Sequence, residues 1–257
     1  PTRRSSDLNW DKLGPPLRPT SDVVGQMRQQ IGQEGRVLML GVTPEIHAAF
    51  DNIIAVDRDA DMIRNVWPGD TDTKTAIQGE WLGMRWPDAS FDGIVCDGGL
   101  SMLENLDNMR YFQSLCMKWL RPGGTVVHRV FERPSGSEVI TLSRVMDELS
   151  GPPTVNWHAF KWLMAFHIAE RQADSCIRLS TIMDLFNELC PDRQALSERT
   201  GWSMASIDTI DLYQDSAKVT CFGTRDEHAN TIPSSAVDVG FWIVPGYDLH
   251  EIGRAHV

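Results

Sequence analysis

Asp57 is the first residue whose position suggests chemistry. It closes the apolar run Asn52-Ile-Ile-Ala-Val-Asp57, sixteen residues after Gly41, which itself closes the run Val37-Leu-Met-Leu40. A carboxylate at the carboxyl tip of a buried strand, one β–α–β unit after a glycine turn, can accept hydrogen bonds from both hydroxyls of a ribose. The competing reading is an Asp that caps the helix beginning near Asp59 to Met62. Gly41 permits a tight turn, Thr43 is a good N-cap, and Pro44 suits the first helical position, where its missing N–H costs nothing. A helix opening there points unsatisfied N–H groups into the crevice at the strand tips, so Gly41, Val42 and Thr43 are candidates for holding a ligand. Arg58 shares the rim with Asp57. Met62 falls on the first turn of the next helix, where a thioether can pack on a flat ring, although core packing is the commoner use. After Gly79, Glu80 can accept from an exocyclic amine while Trp81 supplies a flat wall; an acid and a Trp in a surface turn are the alternative. Asp97-Gly98 ends a further strand at the same sheet edge as Gly41 and Asp57, and Asp97 serves either as a base or amine-orienting group or as a structural strand tip.

The elements that must position these residues follow from pattern. Val37 to Leu40, Asn52 to Asp57 and Gly93 to Asp97 are apolar runs of the kind found in strands covered on both faces. Asn9 to Thr20 is rich in proline and reads as an extended arm. Ser21-Asp22 can cap a helix over Val23 to Ile31. Asn105 to Leu120 is an amphipathic helix, stopped by Arg121-Pro-Gly-Gly124 before a strand from Thr125 to Phe131. Glu138 to Leu149, Asn156 to Cys176 and Leu179 to Leu189 read as helices, more than one crossover needs. Within them, Trp157 to His167 is aromatic and basic. The packed face of a helix is one account; the other makes His158 or His167 a general base. Gly201 to Tyr213 is a short helix and loop, in which Tyr213 either approaches a substrate or packs. Ala236 to Val244 is strand-like and Pro245-Gly-Tyr247 breaks it.

Composition narrows the function classes. The formal charge is −11 over 257 residues, and an acidic body disfavours binding to a phosphate backbone. Cys96, Cys116, Cys176, Cys190 and Cys221 show no CxxC pair and no metal spacing, which fits reduced thiols in a cytoplasmic protein without a metal site. No apolar run is long enough to span a bilayer. Pro1 to Leu8 and Glu251 to Val257 back-translate, with available codons, to mutually complementary strings that resemble sequencing-library adapters. They are expected to flank a bacterial fragment from a metagenomic source, with the last natural strand missing and the sheet either gapped or filled by foreign residues.

In order along the chain, Val37-Leu-Met-Leu-Gly-Val-Thr-Pro-Glu45, Ala55-Val-Asp57 with Met62, Gly79-Glu-Trp81, Trp86-Pro-Asp-Ala-Ser-Phe-Asp92 before the strand ending at Asp97, and Leu120-Arg-Pro-Gly-Gly124 resemble the class I S-adenosylmethionine-dependent methyltransferases. The resemblance covers roughly residues 30 to 132. It implies an α/β fold: a doubly wound, mostly parallel Rossmann-like sheet with helices on both faces, here with a helical cap inserted. The core is expected at 35–134 and 214–250, the arm and first helix at 9–34, and the cap at 135–213. S-adenosyl-L-methionine is the implied cofactor. Gly41 to Thr43 would line its methionine part, Asp57 the ribose, and Met62, Glu80 and Trp81 the adenine, with Asp97 and Gly98 near the sulfonium. The loop departs from the family pattern. Met39 stands where an acid is usual, and Thr43 and Glu45 replace the second and third glycines, similar to a bacterial subgroup with a Gly-Val-Thr-Pro-Glu loop. Glu80 also stands where Asp is commoner. A small-molecule acceptor is the leading expectation. A protein or nucleic-acid methyltransferase, or a non-catalytic binding module, is the alternative; Asp97-Gly-Gly-Leu stands where base methylators often carry Asn-Pro-Pro-aromatic.

Overall fold

The computed structural model describes Trp10, residues 13–243 and the strand 251–256, the last as backbone only. Residues 1–9, 11–12, 244–250 and 257 lie outside the described residues, and with them the adapter-like N-terminal stretch and the Pro245–Tyr247 break.

The chain opens with helix α1 (Ser21–Ile31), capped by Thr20, whose hydroxyl accepts from the Val23 amide; the expected Ser21-Asp22 cap lies inside the helix. Strand β1 (Val37–Leu40), helix α2 (Pro44–Ala49), β2 (Ile53–Asp57), α3 (Ala60–Val66), β3 (Lys74–Gln78), β4 (Phe91–Asp97), α4 (Leu106–Trp119) and β5 (Leu120–Val130) follow. Strands β1 to β5 are mutually parallel in the order β3-β2-β1-β4-β5. The physical reason is visible in β1. Val37 and Met39 pack with α1, α2 and α3 on one face, while Leu38 and Leu40 pack with α4 on the other. A strand buried on both faces must be apolar throughout, and all four β1 residues are buried. On the α4 face, Phe112 is wholly buried against Trp81 and His128; truncating such a ring to Ala costs about 3–5 kcal/mol.

The segment after β5 differs from expectation in detail. Helix α5 (Leu142–Ser150) starts four residues late, behind a short 3-10 turn at Gly136–Glu138. Helix α6 (Trp157–Ala169) ends well before Cys176; residues 170–175 turn, and β6 (Cys176–Arg178) follows. Then come α7 (Leu179–Leu189), α8 (Arg193–Thr200), α9 (Met204–Ile207), β7 (Val219–Cys221), α10 (Arg225–Ala229) and β8 (Val237–Ile243). Helix α6 is buried at every position but Ile168, as a helix apolar on all sides must be. It forms the axis of a separate cap core with Phe186, Trp202 and Ile210.

Strands β6 and β7 form a two-stranded antiparallel sheet, bonded by a disulfide between Cys176 and Cys221. The reading of five reduced thiols is therefore corrected: Cys96, Cys116 and Cys190 are free, and two cysteines 45 residues apart are joined. Disulfides belong to oxidising environments, so the thiols lend no support to a cytoplasmic location. The seven-stranded sheet is completed by β9 (Glu251–His256), the adapter-like segment. It lies between β5 and β8 and antiparallel to both. Among the described residues no helix is long and apolar enough to cross a membrane.

Candidate functional site

The carboxyl tips of β1, β2 and β4 open into a cleft of about 450 Å³. Gly41, Val42, Thr43, Asp57, Arg58, Met62, Glu80, Trp81, Asp97 and Gly98 all line it. These residues come from four separate stretches, which meet there because a parallel sheet places the ends of all its strands at one edge.

At the β1 tip, Gly41 has φ +94°, a conformation open to glycine at little cost. Its amide donates to the Val56 carbonyl at 2.8 Å. Thr43 holds the N-cap position of α2 with Pro44 at its first turn, but its side chain makes no capping bond; the expected cap is positional only. At the β2 tip, the half-buried Asp57 carboxylate divides its work. Oδ1 accepts from the Asp59 amide at 2.8 Å, while Oδ2 faces Gly41 across the cleft, 3.9 Å from where a Cβ on that glycine would stand. Burial raises the Asp57 pKa, and the Asp59 amide pulls it back down. The capping role considered for Asp57 falls to Asp59, whose side chain accepts from Asp61 at the start of α3.

Trp81 sits lower than a simple wall would. Its Nε1 donates to the Val56 carbonyl at 2.8 Å, and its ring edge comes within 2.6 Å of where a Cβ on Gly99 would stand. The indole thus plates the floor between the tips of β1 and β4. Gly79 does not line the cleft. A side chain there would strike Met84 Sδ at 2.7 Å, so the glycine lets the chain pass Met84 and turn Glu80 and Trp81 inward.

Asp97 and Arg129 form a buried ion pair, with side chains 4% and 3% exposed. Burial raises the Asp97 pKa, opposed chiefly by the Arg129 guanidinium. Arg129 Nη1 also donates to the Pro16 carbonyl at 2.8 Å, and Gly98 continues the strand tip at φ +68°. A carboxylate so engaged holds the tip in place, and a proton-abstracting role for it is not favoured. His158 and Tyr213 do not line the cleft. His158 is buried within α6, and Tyr213 packs against the cap core with Lys161 Nζ 5.3 Å from its ring centre. His167 Nδ1 donates to the Ile140 carbonyl at 3.0 Å and its Nε2 accepts from Arg171, also away from the cleft.

Several lining residues escaped sequence reasoning. Trp10 and Leu17 come from the arm, Leu82, Gly99, Met102, Leu103 and Glu104 from the turns beside the expected motifs, and Asn108 from the first turn of α4. Lys218 arrives from the segment leading into β7, close enough to Asp57 to lower its pKa slightly. Opposite charges in the arm and α2 were the one readable signal. Arg18 Nε donates to Glu45 Oε1 at 2.7 Å, tying the arm to the loop that carries Thr43.

The chemistry of this donor set fits an adenosyl ligand. A free carboxylate oxygen faces the turn at Gly41, apolar and aromatic surface (Met62, Trp81, Leu82) lies beside it, and Glu80 adds an acceptor. A cleft of about 450 Å³ suits a nucleoside-sized molecule.

A family model described as a methyltransferase domain matches residues 40–128, about a third of the chain. No curated protein matches. Among solved structures, a putative Zn-dependent alcohol dehydrogenase from Rhodobacter sphaeroides is 12% identical, with 96% of this chain and 95% of that one covered at a TM-score of 0.60. An S-adenosylmethionine-dependent methyltransferase from Mesorhizobium loti is 13% identical, with 92% and 96% covered at a TM-score of 0.52. A putative methyltransferase from Haloferax volcanii, solved with the Trm112 activator, is 19% identical with 42% and 50% covered at a TM-score of 0.37, so the chain spans half of its length. At these identities the Rhodobacter sphaeroides and Mesorhizobium loti structures speak for the fold alone, and the family model carries the chemistry. Residues 40–128 accordingly form a class I S-adenosylmethionine-dependent methyltransferase domain, with S-adenosyl-L-methionine as its cofactor.

Proposed function

We propose that this chain transfers a methyl group from S-adenosylmethionine to a small-molecule acceptor. The observation that carries the proposal is the convergence of the Gly41 turn, the free Oδ2 of Asp57 and the Asp97-Gly98 tip on one cleft narrowed by Trp10 and Leu17. Bound S-adenosylmethionine supplies a methyl group already activated on a sulfonium, so the protein contributes alignment and exclusion of water. In this reading Asp57 Oδ2 accepts from the ribose hydroxyls and the Gly41–Thr43 turn holds the methionine part. Met62, Glu80 and Leu82 face the adenine over the Trp81 floor. Arg129 fixes Asp97, and through it the strand tip beside the reacting centre. Acidic groups outnumber basic ones on the cleft wall, where Asp57, Asp59, Glu80, Asp97 and Glu104 face Arg58 and Lys218. This favours a neutral or cationic acceptor over a nucleic-acid phosphate backbone.

The test is calorimetry with S-adenosylhomocysteine. The unaltered protein should bind it, and Asp57→Ala should bind at least about tenfold more weakly, since one charge-assisted hydrogen bond is worth roughly 1.5–3 kcal/mol. Absence of heat at millimolar ligand would refute the proposal and favour a non-catalytic module.

A further inference from the structure

The arm ahead of α1 has little regular structure to hold it, yet it lies against the cleft. Three polar anchors fix it. Glu45 Oε1, in the first turn of α2, accepts from Arg18 Nε at 2.7 Å, Arg18 Nη2 at 2.5 Å and Trp10 Nε1 at 3.3 Å. The Arg18 guanidinium also sits 5.6 Å from the Trp10 ring centre. The Pro16 carbonyl accepts from Arg129, and the Pro15 carbonyl accepts from Asn156 Nδ2 at 2.9 Å. The Glu45 pair is half-buried, with side chains 29% and 23% exposed, where a charge-assisted bond keeps more of its strength than on an open surface. Trp10, the residue this anchor holds, is a wall of the cleft, and Leu17 adjoins the anchor. Glu45 itself does not line the cleft.

We propose that Glu45 is a positioning residue that latches the arm across the cleft, making Trp10 and Leu17 part of the ligand site and slowing the escape of bound S-adenosylmethionine. This rests on the cofactor reading above. It accounts for a charged side chain in the first turn of α2, two residues after the ligand-facing Thr43, because the carboxylate is bonded to the arm and does not itself line the cleft. Removing the anchor should free Trp10 while leaving Asp57 and the Gly41 turn in place.

The experiment compares the unaltered full chain with Glu45→Gln, Arg18→Met and the double variant. Two readings are taken: S-adenosylhomocysteine affinity by calorimetry, and hydrogen exchange of the Leu17 and Arg18 amides, both bonded to the Gly14 carbonyl. Each single variant should bind about tenfold more weakly and exchange faster over the arm. The double variant should be no weaker than the worse single, as expected when two groups act through one contact. Unchanged exchange overturns the latch, and faster exchange with unchanged affinity overturns its role in retaining ligand. If the unaltered protein takes up no S-adenosylhomocysteine, the cofactor reading fails and the inference falls with it, whereas ligand uptake with indifferent variants sinks the latch alone. Should Glu45→Gln fail to fold, Arg18→Met and Trp10→Ala read the same contact from the arm side.

Discussion

Replacing Arg129 with Met should be among the most damaging single changes in this chain. The guanidinium is 3% exposed and its partner Asp97 4%. Removing the cation while leaving the acid strands a carboxylate in the interior, which costs about 3–5 kcal/mol. The lost bond to the Pro16 carbonyl adds about 1 kcal/mol. Against a total stability of roughly 5–15 kcal/mol, the variant would lose a third of its margin or more. The carboxyl can escape part of the penalty by taking up a proton. Burial already raises the Asp97 pKa, and without Arg129 nothing comparable opposes it. A folded-state pKa above the unfolded one means that the folded state holds more protons. The deficit of Arg129→Met should then be smaller near pH 5 than near pH 8. Urea titration followed by circular dichroism measures the loss at both pH values. Pairing the change with Asp97→Asn removes the stranded charge and should recover most of the stability. A loss under about 1 kcal/mol for Arg129→Met, or a double variant no more stable than the single, would refute the account of this pair.

Two further outcomes are expected. Opening the Cys176–Cys221 bridge, which closes a loop with a sequence separation of 45, should cost at most about 4 kcal/mol on a chain-entropy account; equal thermal midpoints with and without reductant, or five titratable thiols in the denatured oxidised protein, would count against the bridge. His128 is buried in β5 and neither ring nitrogen has a hydrogen-bond partner; burial lowers its pKa to about 3, and His228 adds to the shift. Because the folded value lies below the unfolded one, stability is present above about pH 6.5 and is lost as pH falls toward about 3, by up to ~1.4 kcal/mol per pH unit. His128→Leu should flatten that slope between pH 6 and 4, and an unchanged slope would point to other groups.

What could be read from residues alone was local. The strands β1, β2 and β4 announce themselves because burial on both faces forces apolar runs, and Gly41, Asp57 and Gly98 mark their tips. Each cleft residue named from sequence, Gly79 aside, belongs to a strand end or the few residues after it, so its place followed once the sheet was recognised. Trp10, Leu17 and Lys218 could not be placed in this way, since they reach the cleft through tertiary packing of the arm and the cap. The aromatic stretch of α6 has no polar face to orient it, and its histidines suggested chemistry although they are packed inside the cap. Strand β6 is three residues long, too short to show a period, and only its first residue, Cys176, fell within an expected element. The pairing of Cys176 with Cys221 has no local signature either, because spacing alone does not set connectivity.

Lys218 carries a consequence for how such a protein can diversify. It stands on the approach to β7, just beyond the helical stretch 135–213 expected to form the cap, and yet it lines the same cleft as Asp57. Grafting another cap onto this sheet would remove that lysine along with the acceptor walls. On the function proposed above, donor affinity and acceptor choice would then change together, and altering the second without retuning the first would require keeping the β6–β7 pair while the helices between its strands change.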